Sequence, residues 1–130
     1  MSDLRDRLRA ATEGLLWPSE TDAPVAAFEW ERQDEIAPAT LLHILDRSSD
    51  TPIARLSVEQ FFKRVTRDRD GYDDIEKARV RQFQALEMLL ADTLRDPQGF
   101  RVGQTDIDAF VIGKTSAGHW AGIRTRIVET

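Results

Sequence analysis

The sequence runs to 130 residues, the length of one domain, and its 41% hydrophobic content is enough to bury a single core over residues 1–130. Its 23 acidic against 18 basic residues leave a net charge of −5, which argues against direct nucleic-acid binding over a basic face. With no cysteine, and with His43 and His119 alone for imidazole chemistry, disulfides, thiolate nucleophiles and Cys-ligated zinc are excluded.

Ser2 reads as an N-cap for an amphipathic helix over residues 2–16, with Leu4, Leu8, Ala11 and Leu15 on one stripe. Trp17-Pro18 ends it, because the residue before a proline avoids the helical region, and residues 19–24 form a short polar loop presenting Glu20 and Asp22. Residues 25–31 alternate as a half-buried strand, with Ala26, Phe28 and Trp30 on an aromatic face and Ala27, Glu29 and Glu31 on the other. Between Gln33 and Arg55 the pattern is weaker. ATLLHILD after Pro38 reads equally as a short helix or a strand, ahead of a turn at SSDTP. Ser57 and Gln60 form a capping-box pair before a short helix over SVEQFFKRV, and residues 66–74 make a charged loop around Gly71.

The longest helix is expected from Asp74 to Leu94, with Ile75, Arg79, Phe83, Leu86, Leu90 and Leu94 in line, widened by Met88 and Leu89. Arg95-Asp96-Pro97 stops it. GFRVG, DIDAFVIGKT and HWAGIRTRIVE then read as three strands of an antiparallel meander, the last two joined by a turn at residues 115–119. Helices grouped around such a sheet give an α+β layered domain with the long helix on one face.

No run approaches the roughly 20 apolar residues of a membrane-spanning helix, and the charge-interleaved N-terminus lacks the apolar stretch of a signal peptide. A cytoplasmic protein without membrane contact is expected. Catalytic signatures are missing as well: there is no GxGxxG, no GxxxxGK followed by Ser or Thr, no HExxH and no GxSxG. His119 reads as an exposed residue in a hairpin turn, and His43 as a partly buried, hydrogen-bonded one. Glu29 and Glu31 share a strand face that suits a cation in principle, but a pair on such a face is commonly just solvated. Charge is nonetheless segregated, since from Glu13 to Glu35 seven acids stand against Arg32 alone. Such a segment is either a soluble acidic face or a surface that steers toward a cationic partner, such as the cleft of a nucleic-acid enzyme.

Three strings carry more specific information: GLLWPSETDAP, the segment from Phe61 through GYDD into the long helix, and DAFVIGKTSAGHWAGIRTRIVET. Together they closely resemble the nuclease A inhibitor family, small acidic proteins that block sugar-non-specific, magnesium-dependent endonucleases. The similarity covers essentially the whole chain and is strongest over residues 14–24 and 98–130. It implies an α+β protein built as a three-layer α/β/α sandwich like that of pathogenesis-related protein 1. It further implies a stoichiometric, non-enzymatic inhibitor with no cofactor and no metal of its own.

In the family, the Glu of the S-E-x-x-x-P loop enters the nuclease active site and engages its magnesium, and a C-terminal Thr reaches the same region. The matching positions are Glu20 and Thr130. Magnesium is a hard cation that takes oxygen ligands, so a presented carboxylate can occupy the place of a scissile phosphate oxygen. The loop before the long helix departs from the pattern. Where the family carries a Gln and a Trp that contribute to the interface, this chain has Arg69 and Gly71, with Tyr72 retained. Trp is among the residues that dominate interfaces, so its loss implies weaker binding or a different cognate nuclease, and Arg69 could instead pair with an acidic patch on that partner.

The implied partner is a non-specific endonuclease bound 1:1 through Glu20, Thr130, Arg69, Gly71 and Tyr72. Two readings compete: a protein-binding module of the same fold that no longer inhibits a nuclease, and an enzyme that uses Glu20 with His119.

Overall fold

The computed structural model describes residues 3–130, which form four helices and seven strands, the strands in two antiparallel sheets. Helix α1 (Asp3–Thr12) buries Leu8 and ends earlier than the sequence suggests. The Thr12 hydroxyl folds back to the Leu8 carbonyl at 2.9 Å, and the chain turns out so that Leu15 and Trp17 enter the core from extended backbone. Ser2, the expected cap, lies outside the described residues. Two short strands follow, β1 (Leu16–Trp17) and β2 (Ala23–Pro24), paired so that residues 18–22 become the tip of a small hairpin. Strand β3 (Ala26–Trp30) comes next.

The stretch with two readings resolves into helix α2 (Pro38–Ile44), with Pro38 in the first turn where no amide donor is needed, and strand β4 (Ile53–Leu56). Helix α3 (Val58–Phe62) starts at the expected capping box, the Ser57 side chain accepting from the Gln60 N–H and the Gln60 side chain from the Ser57 N–H. Helix α4 (Asp74–Thr93) has a second box, between Asp73 and Glu76.

The buried side of α4 consists of Val80, Phe83, Leu86 and Leu90, continued by Leu94. Ile75, expected on that line, and Met88, expected to widen it, are 75% and 66% exposed. Met88 lies roughly 140° around the helix from Phe83 at about 100° per residue, and Ile75 sits in the first turn at the edge of the stripe.

Strands β5 (Arg95–Val102), β6 (Asp106–Lys114) and β7 (Trp120–Val128) complete the main sheet. Arg95-Asp96-Pro97 does end α4 and already belongs to β5, which starts earlier than the GFRVG stretch expected to form the strand. The register shifts between Arg95 and Gln98, so Pro97, which has no N–H to donate, falls in the irregularity. The sheet order is β3-β7-β6-β5-β4, with every neighbour antiparallel, and the expected meander forms its centre.

The sheet is apolar on both faces. Ile107, Ala109 and Val111 of β6 join a cluster with Leu8, Phe62, Phe83 and Leu90, whereas Phe110 and Ile112 join Phe28, Trp120 and Leu41 of α2 on the other side. The buried Trp120 ring donates its Nε1–H to the Asp34 carbonyl at 2.8 Å, which ties down the chain between β3 and α2.

Candidate functional site

The β1–β2 hairpin is held from two directions. Inside, the Trp17 ring lies 4.9 Å from Phe61, 5.8 Å from Phe62 and 5.3 Å from Phe83, centroid to centroid. Along its edge it is stitched to β7. The Thr125 hydroxyl donates to the Pro24 carbonyl at 3.0 Å, the Val128 N–H donates to Ser19 Oγ at 3.2 Å, and the Glu20 N–H donates to the Val128 carbonyl at 3.3 Å. Ser19 Oγ also donates to the Thr21 carbonyl at 2.7 Å, so one hydroxyl fixes both the turn and its attachment.

Just past β7, Thr130 Oγ1 donates to Glu20 Oε1 at 2.7 Å, joining two residues 110 positions apart. Glu20 is exposed, and its Oε2 has no protein donor among the described residues.

A cleft of about 520 Å³ opens beside the hairpin tip, and Glu20, Thr130, Arg69 and Tyr72 all line it. Four of the five residues singled out in the sequence therefore meet in one place. Buried Trp17, Phe61, Val65 and Ile127 form its floor. Glu129 belongs to the wall and holds Arg101 in an ion pair at 2.7 Å.

Gly71 does not line the cleft. It turns the loop at φ 88°, next to a bond from the Tyr72 N–H to the Arg69 carbonyl at 3.2 Å, and a Cβ there would meet nothing within 4 Å. This is a backbone conformation that L side chains disfavour, so the loop does more than lack a large side chain: its path depends on glycine.

The sequence reading missed Ser19, Arg64 and Arg101. Ser19 was visible as the residue before Glu20 in a polar turn. Arg101 was visible as the charged member of the Gly99–Arg101 side of its strand. On the far side of Thr130, Arg126 hydrogen-bonds Asp106 and holds that carboxyl below the usual range.

The other candidates lie elsewhere. His43 is exposed, and its side chain has no hydrogen-bond partner among the described residues, contrary to the expectation of a partly buried one. Its place on the outer side of α2, next to buried Leu41 and Leu42, accounts for this. Glu29 is not on a solvated face either. Its side chain is 15% exposed and lies 3.8 Å from His119 Nδ1. Among the described residues, no group of three or more His, Cys, Asp or Glu could hold a metal ion. The acidic segment does not form one patch: Glu20 faces the cleft, whereas Glu35 lines a separate hollow with Arg95 and Lys114. No described helix is long and apolar enough to cross a membrane.

No curated protein matches the chain. The profile of the nuclease A inhibitor-like proteins matches residues 2–130. That match takes in the hairpin, the cleft and both sides of the sheet, and by it the chain belongs to the nuclease A inhibitor-like family.

Proposed function

We propose that this chain is a stoichiometric protein inhibitor of a sugar-non-specific, magnesium-dependent endonuclease, with Glu20 as the group that occupies the enzyme's active site. The observation that carries this reading is the state of the Glu20 carboxylate: it is exposed at the tip of a doubly anchored hairpin, with Oε1 held by Thr130 and Oε2 open. A carboxylate restrained before binding loses less rotamer freedom on binding, and a hard divalent cation takes oxygen ligands of this kind. Glu20 then stands where a scissile phosphate oxygen would, Thr130 approaches the same magnesium, and Arg69 and Tyr72 flank the contact.

Catalysis by Glu20 with His119 has no geometric support, because His119 lies against Glu29 and not in the cleft. The two-faced sheet with its helices is read as the three-layer α/β/α sandwich of pathogenesis-related protein 1, with residues 1–130 acting as one cytoplasmic domain that binds no cofactor and no nucleic acid.

Titrating nuclease A with the purified chain tests the reading. DNA cleavage is expected to fall to zero at a 1:1 ratio. Full cleavage in the presence of a large excess of folded chain would exclude nuclease A as the target; the same result with other sugar-non-specific, magnesium-dependent endonucleases would leave the second reading, a protein-binding module without nuclease inhibition, which the glycine-dependent loop at Gly71 favours. A finer test addresses Thr130. Thr130→Val keeps the shape and removes the hydroxyl, so inhibition should weaken about tenfold, the worth of one hydrogen bond to a charged group, while Thr130→Ser keeps it. Equal inhibition constants for wild type and Thr130→Val would remove that hydroxyl from the mechanism.

A further inference from the structure

We propose that the cleft beside Glu20 receives an acidic loop of the partner protein, whose carboxylates pair with Arg64 and Arg69. The partner's class rests on the inhibitor reading, whereas the chemistry of the occupant rests on the cleft alone. Three arginines line it. Arg101 is neutralised by Glu129. Arg64 and Arg69 are exposed, and among the described residues neither guanidinium has an ion-pair or hydrogen-bond partner.

The lining holds three arginines against the two acids Glu20 and Glu129, in a chain whose net charge is −5. A guanidinium presents a planar fork of donors that matches a carboxylate in a bidentate pair. The floor beneath them, with Phe61 and Val65, is apolar, and a concavity of about 520 Å³ fits a protruding segment of chain better than a flat surface.

The same cleft holds the carboxylates of Glu20 and Glu129, and this separates two classes of anion. A nucleic-acid strand carries a charge at every nucleotide and cannot keep its phosphates from those acids. A peptide can place single carboxylates at the arginines and set neutral atoms against the acids. The inhibitor surface is then bipolar, with Glu20 directed at a cation and Arg64 and Arg69 at an acid beside it. Such a pattern fixes orientation and selects among nucleases.

The test has two arms. In the first, the isotopically labelled full chain is titrated by NMR with the peptide acetyl-Glu-Leu-Asp-amide, its Gln-Leu-Asn counterpart and a short oligothymidylate. The acidic peptide is expected to shift the amides of Arg64, Arg69 and Tyr72, the neutral one to leave them, and the Arg64→Glu/Arg69→Glu double variant to abolish the response. No difference between the two peptides, or shifts from the oligonucleotide alone, overturns the proposal. In the second arm, the same double variant is expected to inhibit nuclease A about 10- to 100-fold more weakly than wild type. If Glu20→Gln loses inhibition while the double variant retains it, the inhibitor reading stands and the cleft proposal falls. If the wild-type chain leaves nuclease A active while the acidic peptide binds, the cleft proposal stands and the inhibitor reading falls for that enzyme.

Discussion

Replacing Glu20 by Gln is expected to weaken nuclease inhibition by roughly 30-fold to several thousand-fold, because removing one partner of a buried charged contact costs about 2–5 kcal/mol. The substitution isolates charge from shape. A Gln carbonyl still accepts from Thr130 Oγ1, which reaches Glu20 at 2.7 Å, and the exposed side chain adds little to folding. Thermal unfolding should therefore match wild type while the inhibition constant rises. An unchanged inhibition constant would show that the carboxylate is not the group that enters the active site.

The second large effect concerns the scaffold. Gly122 sits in β7 opposite Phe28 of β3 and Ile112 of β6, and a Cβ at this position would lie 1.8 Å from the Val111 carbonyl oxygen. The obstacle is backbone in the centre of the sheet, so no rotamer change relieves it. Gly122→Ala is expected to cost about 3 kcal/mol or more, at the upper end of overpacking, and to lower Tm by about 10 °C or more. Gly71→Ala is the control. Its φ of 88° is also unfavourable for alanine, but its Cβ would enter open space, so the cost should stay near 1–2 kcal/mol. Urea unfolding of the two variants ranks them, and a Gly71→Ala that proves the more damaging would refute the steric argument.

Elements set by local rules were legible in the sequence. The box at Ser57 and Gln60 names both of its partners within four residues, and the Gly-bounded apolar run DAFVIG within residues 107–113 marks strand β6, buried on both faces. Elements set by tertiary context were less so. Pro38–Ile44 became a helix because Leu41 packs on the second face of the sheet, a face no local pattern announces. Ile75 and Met88 fit a helical apolar count yet point away from the body. The site was legible in two unequal steps. A polar turn carrying Glu20 follows from proline and turn chemistry, whereas its meeting with Thr130 followed from the family resemblance, since no spacing rule reaches across 110 residues. The cleft's unpaired arginines required the fold, because pairing is a property of neighbours in space.

The stitching of the hairpin to β7 also has a kinetic side. Strands β5, β6 and β7 follow one another through short turns, so the meander closes only small loops as it forms. The contacts between β3 and β7, between Ser19 and Val128, and between Glu20 and Thr130 each close a loop of most of the chain. Such pairings are the slow ones, and they bear on unfolding as much as on folding. Trp17 holds the base of the hairpin in the core, but its tip is joined to the chain end by hydrogen bonds alone, so the Glu20 carboxylate is expected to reach its restrained position late, once β7 has joined the sheet. On the inhibitor reading proposed above, local opening of this hairpin is expected to cost the restrained carboxylate before the core melts.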